Sequence, residues 1–165
     1  MVRQIRNLHA LMYSSLADPT LTQEDIKQIL DSARRYNEQH EITGLLLFQE
    51  GSFLQVLEGD RRQISLLFEK KLMRDPRHYS VSLFHDRPLV ERQFRYWHLA
   101  FSDLNKQTAK LSLPYREFLR GERGLYELTS NTSRALELVG QIHRRVLCRE
   151  KTVITHNCEV STEKH

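Results

Sequence analysis

The 165-residue sequence contains little cysteine and has no long apolar run. Its two cysteines, Cys148 and Cys158, both lie late in the chain without the spacing of a zinc site, so we expect neither a disulfide framework nor a metal site. No segment approaches the roughly 20 apolar residues of a membrane-spanning helix, and the N-terminus lacks the apolar core of a signal peptide. We therefore expect a cytoplasmic protein that does not contact a membrane.

The common catalytic motifs are missing as well. The sequence has no glycine-rich phosphate loop, no Gly-x-Ser-x-Gly and no His-Glu-x-x-His. Its formal net charge is only +4, and its arginine pairs are scattered along the chain, so nucleic-acid binding is not favoured. With 39% hydrophobic and 28% charged residues, the chain has an ordinary globular composition and needs no metal or disulfide to form a core.

An apolar hairpin at residues 41–59 organises the rest of the chain. Residues 45–48 and 53–57 are predicted strands, and residues 49–52 have turn-forming side chains. Runs this apolar favour strands that are covered on one or both faces. Gln55 interrupts the second run, and its amide needs hydrogen-bond partners. Those partners are either a backbone carbonyl or water at a sheet edge, or else a bound polar ligand.

Regular elements are predicted on both sides of the hairpin. Thr22 and Asp25 have the spacing of a helix N-terminus, and the apolar side chains that follow recur at helical spacing up to about Asn37. Asn37 also suits a helix C-cap, because asparagine tolerates left-handed backbone angles. Other patterns predict strands at 8–14, 80–85 and 96–101 and a helix at 61–73. Two helices and five strands in this order predict a ferredoxin-like α+β sandwich, a five-stranded mixed sheet with two helices on one face.

The chain after this core differs in character. We expect a core domain at 1–101, a C-terminal helical extension at 102–151 and a disordered tail at 152–165. A short helical pattern includes Tyr115, Phe118 and Leu119. A longer one, with Asn131 or Thr132 as its cap, has an apolar stripe formed by Leu136, Val139, Ile142 and Val146. This stripe needs a surface to cover, either the free face of the sheet or a partner chain.

A sparse set of polar side chains lies within the apolar elements: Tyr13, Asn37, Gln55 and Trp97. A phenol, two amides and an indole are poor acid–base catalysts at neutral pH, because none has a pKa near that range. They are suited to holding a planar heterocycle with an imide-like edge. Tyrosine and tryptophan can also donate electrons to a photoexcited cofactor.

Six segments, found in the expected order across residues 8–101, resemble the BLUF family of blue-light receptors that use flavin. They are LMYSS (11–15), Tyr36-Asn37, ITGLLLF (42–48), FLQVLEG (53–59), RDPRH (74–78) and YWHLAF (96–101). The resemblance implies that flavin lies between the two helices, bound non-covalently as FAD, with FMN as an alternative. It also implies roles for Tyr13 as the photoactive tyrosine, Gln55 as the switching glutamine and Asn37 as the flavin anchor.

The resemblance extends to further positions. Ile29 matches an apolar contact to the flavin ring, and Lys70 or Lys71 could supply the basic residue that relatives often have on the second helix. Trp97 matches a tryptophan on the last strand, whereas Leu99 stands where the family commonly has methionine. A polar cluster that meets the flavin edge, ribityl chain or phosphate is matched by Asp75, Arg77 and His78.

The resemblance implies a short BLUF photoreceptor without enzymatic activity. Its signal would pass to an unknown downstream effector protein or through a homo-oligomer. The rival interpretation is a ferredoxin-like nucleic-acid-binding module or a small nucleotide-processing enzyme. An RNA-binding module would need outward-facing aromatic side chains, for which Tyr13, Phe53 and Trp97 are the candidates, but basic residues do not cluster around Phe53.

Overall fold

The computed structural model describes residues 7–95, 97–107, 125 and 131–144. A 3-10 turn at Leu72–Arg74 follows the second helix. Within the described residues, no helix is both long enough and apolar enough to cross a membrane. The elements are β1 (Leu8–Ala17), α1 (Gln23–Gln39), β2 (Thr43–Gln49), β3 (Ser52–Asp60), α2 (Arg61–Lys70), β4 (His78–Pro88), β5 (Ala100–Asp103), α3 (Leu104–Gln107) and α4 (132–144).

The five strands form one mixed sheet in the order β4-β1-β3-β2-β5. All neighbouring pairs are antiparallel except β2 and β5, which are parallel. β3 therefore lies at the centre, and Gln55 is paired with Tyr13 on β1 and with Leu46 on β2. The predicted ferredoxin-like α+β fold with a five-stranded mixed sheet is confirmed.

Both helices of the core pack on the same face of the sheet. Ile26 and Leu30 of α1 join a cluster with Leu46 of β2, while Ile64 and Leu67 of α2 join a neighbouring cluster that includes Tyr13 of β1. The register places these strand side chains on one face, since alternate residues of paired strands point the same way. The opposite face is also buried, which explains why the hairpin shows no polar alternation. Its buried side chains include Met12, Leu45, Leu47, Leu54 and Val56.

Helix α1 begins at the predicted N-cap, Thr22, but it does not end at the predicted C-cap, Asn37. Thr22 accepts a hydrogen bond from the backbone N–H of Asp25, and the Asp25 carboxylate accepts one from the backbone N–H of Thr22, so the predicted capping box is confirmed. The helix continues to Gln39, and His40 is its C-cap. Asn37 is therefore not a C-cap. It lies inside the last turn and is only 1% exposed.

The last strand begins later than predicted. Residues 96–101 were expected to form it, whereas β5 spans Ala100–Asp103. The physical reason is that backbone groups before the strand are bound elsewhere. The carbonyl oxygen of Trp97 accepts from the N–H of Gly44 at 3.1 Å, and that of His98 accepts from the side chain of Asn37 at 2.6 Å. Trp97 therefore precedes β5 instead of lying on it.

The chain divides into two compact units, Met1–Thr132 and Ser133–His165. In the second unit, the buried side chains of α4 recur at helical spacing and include Leu138, Val139 and Ile142. Leu136 was predicted to belong to the buried stripe, but it is 42% exposed. Leu136 lies six residues before Ile142, which places the two side chains about 120° apart around the helix axis and turns Leu136 away from the buried residues. The predicted helical pattern at 115–119, Val146 and the predicted tail at 152–165 lie outside the described residues.

Candidate functional site

A cavity opens on the helix-covered face of the sheet, where α1 and the segment after α2 meet the central strands. It contains about 440 Å³ of space, its open mouth included. Most of its lining is apolar, with a few polar groups at the floor and at the mouth, as is typical of a small-molecule site. The lining residues are Tyr13, Ile29, Ala33, Leu46, Phe53, Gln55, Leu72, Asp75, Arg77, His78 and Leu99.

The floor carries a buried pair formed by Tyr13 and Gln55. The two residues face each other across β1 and β3, and the hydroxyl of Tyr13 donates a hydrogen bond to Oε1 of Gln55. Gln55 is 4% exposed and sits on the central strand, so water at a sheet edge does not satisfy its amide. Its Oε1 is occupied by Tyr13, whereas no described residue accepts a hydrogen bond from its side-chain nitrogen. That N–H group is available to a ligand in the cavity.

Tyr13 is held as a neutral phenol. Burial raises the pKa of its hydroxyl far above the usual value, and the negative charge of Asp75 raises it further. The ring packs against Phe68 and His78, with centroid distances of 5.5 and 6.2 Å. At physiological pH the Tyr13 proton therefore stays on the phenol, already directed at Gln55.

At the mouth of the cavity, Asp75 and Arg77 form an ion pair. Arg77 Nη2 lies 2.6 Å from Asp75 Oδ2, and both the Nε and the backbone N–H of Arg77 donate to Oδ1 of Asp75. Burial would by itself raise the pKa of Asp75, but the hydrogen bonds and charge of Arg77 outweigh it and hold that pKa below its usual range. Asp75 is therefore ionised beside the cavity.

His78 is held by a hydrogen bond at each of its ring nitrogens. Its Nε2 lies 2.5 Å from the carbonyl oxygen of Leu72, and its Nδ1 lies 2.8 Å from Oγ of Ser15. Because a carbonyl only accepts, Nε2 must carry a proton. Sequence reasoning missed Ser15, although the two-residue period of a strand places it on the same face of β1 as Tyr13.

Three of the predicted site residues do not line the cavity. Asn37 is buried and donates from Nδ2 to the carbonyl oxygen of His98. Trp97 is half-buried, with its ring 6.2 Å from that of Phe94, and Lys70 is exposed in the last turn of α2. The predicted residues that do line it are Tyr13, Ile29, Gln55, Asp75, Arg77, His78 and Leu99.

Leu46 and Phe53 are lining residues that the sequence prediction did not include. The hairpin turn consists of Glu50 and Gly51, both with positive φ, which is the two-residue turn that matches the twist of paired strands. A two-residue turn fixes the register, so it could have placed Leu46 opposite Gln55. No comparable local signal identifies Arg34, whose Nε donates to the carbonyl oxygen of Leu99 at 3.0 Å.

The fold and the cavity together define a small-molecule-binding domain whose apolar walls suit a planar ring and whose floor presents a buried phenol–amide pair. A family model described as BLUF, sensors of blue light using FAD, matches residues 8–100. The chain therefore belongs to the BLUF family, and this part of it is a flavin-binding blue-light sensor domain.

Individual relatives agree with this assignment. Over 87 residues the chain is 38% identical to the photoactivated adenylate cyclase subunit beta of Euglena gracilis, a match that covers 53% of this chain and 10% of that protein. Over 74 residues it is 34% identical to the blue light- and temperature-regulated antirepressor BluF of Escherichia coli, covering 45% of this chain and 18% of the relative. The chain thus spans between about a tenth and a fifth of these relatives.

A solved structure gives the same result for the fold. The dark-state structure of BlrB, a BLUF protein, superposes with a TM-score of 0.63 at 28% sequence identity, covering 79% of this chain and 98% of that one. The nucleic-acid-binding alternative is not favoured. Tyr13 and Phe53 are buried on the helix-covered face of the sheet, so they do not present rings for stacking against bases.

Proposed function

We propose that this chain senses blue light through FAD bound in the cavity between α1 and the end of α2, and that Tyr13 and Gln55 form its switch. The observation that carries the proposal is the hydrogen bond from the Tyr13 hydroxyl to Gln55 Oε1 at the cavity floor. It leaves the Gln55 N–H group to donate to a carbonyl oxygen on the edge of a bound ring. Apolar contacts to the ring faces would come from Ile29 and Leu46.

Bound flavin supplies the absorption of blue light and, once excited, a demand for one electron. Tyr13 is placed to give up that electron, because its hydroxyl proton is already hydrogen-bonded to Gln55 and can move as the electron leaves. The nearby charge of Asp75 favours loss of an electron from the phenol. When electron and proton return to Tyr13, the Gln55 amide is left in a different rotamer or tautomer. Its changed hydrogen bonds are the signal.

Cations near the cavity mouth support FAD as the ligand. The segment from α2 to β4 contributes Asp75, Arg77 and His78 to the lining, and it also carries Lys70, Lys71 and Arg74. A diphosphate that extends from the mouth would meet this positive charge. Lys70, Lys71 and Arg74 are all exposed, and the Nζ of Lys71 lies 4.1 Å from the centre of the Tyr36 ring. FMN, with a single phosphate, is the alternative.

Asn37 has a role in this proposal although it does not line the cavity. One N–H of its amide is used by the His98 carbonyl, and the amide has a second N–H and an acceptor oxygen. These remaining groups match the donor and acceptor of an imide edge. Asn37 would thus connect the ring to the segment that precedes β5.

The output is proposed to be a protein contact. The relatives include a protein named as a cyclase subunit and one named as an antirepressor, which indicates that domains of this family are combined with different effectors. We propose that residues 104–165, which follow β5, pass the signal to a separate effector or to a second copy, and that the chain itself catalyses no reaction. Size-exclusion chromatography in darkness and under blue light tests this, and an unchanged assembly size both alone and with candidate effectors would contradict it.

The experiment that tests the switch is difference absorption spectroscopy on the purified chain reconstituted with FAD. We expect blue light to produce a reversible red shift of the flavin band. Gln55→Leu should retain flavin and lose the shift, because leucine preserves the approximate shape but has no hydrogen-bonding group. A normal shift in Gln55→Leu would refute the proposed switch, whereas failure of the wild-type chain to retain any flavin would refute the proposed ligand.

A further inference from the structure

The β4–β5 connection, residues 89–95 and 97–99, is attached to the sheet through a carboxylate that has no part in the proposed switch. Glu58 lies on β3 three residues after Gln55 and is only 1% exposed. Its Oε2 accepts hydrogen bonds from the backbone N–H groups of Gln93 and Phe94 at 2.9 and 3.0 Å. Phe94 is itself fully buried. A buried carboxylate with two backbone donors is a strong, directional attachment.

A second attachment runs in the opposite direction, from the connection to the sheet. Arg92 donates from Nη1 to the hydroxyl of Thr43 at 2.7 Å and to the carbonyl oxygen of Glu58 at 2.8 Å, and from Nη2 to the carbonyl oxygen of Glu41. The guanidinium therefore spans β2 and β3. Burial lowers the pKa of Arg92, with Glu58 and Glu41 opposing that shift. Hydrogen bonds of the Glu58 and Arg92 side chains thus hold the connection against β2 and β3.

The far end of the connection reaches the cavity. Leu99 lines the cavity, and its carbonyl oxygen accepts from Arg34 on α1, while the carbonyl of Trp97 accepts from Gly44 on β2. The connection is therefore held near its middle by Glu58, and its last residue forms part of the cavity wall. β3 bears both the switch residue Gln55 on one face and Glu58 on the other.

We infer that Glu58 is a positioning residue of the photoreceptor: through the β4–β5 connection it holds the Leu99 wall of the flavin cavity, and it thereby sets how long the lit state lasts. The inference rests on the proposed function. When the hydrogen bonds to Glu58 are removed, Leu99 moves more readily. Gln55 then returns sooner from its lit-state hydrogen bonds to those of the dark state. The flavin contacts of the cavity floor are unchanged, so flavin content and the amplitude of the red shift should be preserved.

The test uses the full chain loaded with FAD and four variants. Glu58→Ala removes Oε2, which accepts both hydrogen bonds, and Glu58→Gln keeps one carbonyl oxygen that can accept. Arg92→Met removes the second attachment and remains informative if Glu58→Ala does not fold. Asp60→Ala is the matched control, because Asp60 also accepts from two backbone N–H groups, those of Arg62 and Gln63, but on α2 and not on the connection.

Two readouts are measured: the rate of dark recovery after blue light, and amide hydrogen exchange of residues 92–99 in darkness. Glu58→Ala and Arg92→Met should recover roughly tenfold faster, because the activation free energy of recovery would fall by about the contribution of one hydrogen bond. Glu58→Gln should recover faster by a smaller factor. In Glu58→Ala and Arg92→Met, the backbone amide hydrogens of residues 92–99 should also exchange faster. Asp60→Ala should lose stability without changing either readout.

Recovery at the wild-type rate in both Glu58→Ala and Arg92→Met would overturn the inference, because the expected effect would be absent. An equal acceleration in Asp60→Ala would also overturn it, because the recovery rate would then only follow the stability of the protein. Unchanged exchange at 92–99 in Glu58→Ala would also overturn it. The exchange measurement needs no photochemistry. The absence of a red shift in the wild-type chain would therefore refute the proposed function. Hydrogen exchange would still show whether Glu58 holds the connection.

Discussion

Replacing Tyr13 with phenylalanine removes one hydroxyl from the cavity floor and nothing else. The ring contact with Phe68 is retained, whereas Gln55 Oε1 loses the one side-chain donor that the described part of the chain gives it. An acceptor left unsatisfied in a buried site costs about 1–3 kcal/mol. For a chain of this length, that corresponds to a fall of roughly 2–12 °C in the unfolding temperature. The same change removes the proton that the proposed switch moves.

Two assays on the flavin-saturated chain follow from this. Thermal unfolding should show the expected loss of stability, and the blue-light difference spectrum should show no red shift although flavin remains bound. Tyr36→Phe is the matched control, because it also removes a phenol hydroxyl, but from a ring that stacks on His40 outside the cavity lining. It should keep the shift. A normal reversible shift in Tyr13→Phe would refute the assignment of the switch.

The remaining predictions concern the anchor, the sheet and pH. Asn37→Ala should weaken flavin retention, measured by equilibrium dialysis, and unchanged affinity would mean that Asn37 only binds the 97–99 segment. Gly44→Ala should fail to fold or unfold far more easily in denaturant, because its Cβ would lie 2.0 Å from the backbone oxygen of Val56; a stable variant would contradict that close approach. Burial raises the pKa of Glu58, with the N–H groups it binds and Arg92 opposing the shift. The folded state therefore binds this proton more tightly than the unfolded state, and the contribution of Glu58 to stability is present below its ordinary pKa and lost as pH rises through the raised one. Denaturant unfolding followed upward in pH from the ordinary glutamate pKa of 4.5 should show this loss in the wild type, and Glu58→Gln should lack it; identical pH profiles would contradict it.

The parts of the fold that follow local rules could be predicted from the sequence. The capping box at Thr22 and Asp25, the apolar hairpin and the two amphipathic helices all depend on neighbouring residues. The end of α1 and the start of β5 could not be predicted in this way. A hydrogen bond between residues 61 positions apart, from Asn37 to the carbonyl of His98, uses the Asn37 amide and a backbone group just before β5, and no local pattern contains it.

The site residues also fall into those that the sequence reveals and those that depend on contacts between distant parts of the chain. Tyr13 and Gln55 stand out in sequence as polar groups inside apolar strands, and the structure brings them together. Arg34 and Glu58 do not stand out, because an arginine on a helix and a glutamate at a strand end are ordinary in any soluble protein. Their importance comes from which backbone groups the fold places beside them.

We propose that this chain binds flavin in the cavity and that its hydrogen bonds to the flavin change under blue light. The most direct measurement is the visible absorption spectrum of the purified 165-residue chain with FAD, recorded in darkness, after blue light and during return to darkness. We expect a yellow protein whose flavin band shifts reversibly to the red. A colourless protein that takes up no added flavin, or a bound flavin whose spectrum is unchanged by blue light, would contradict it.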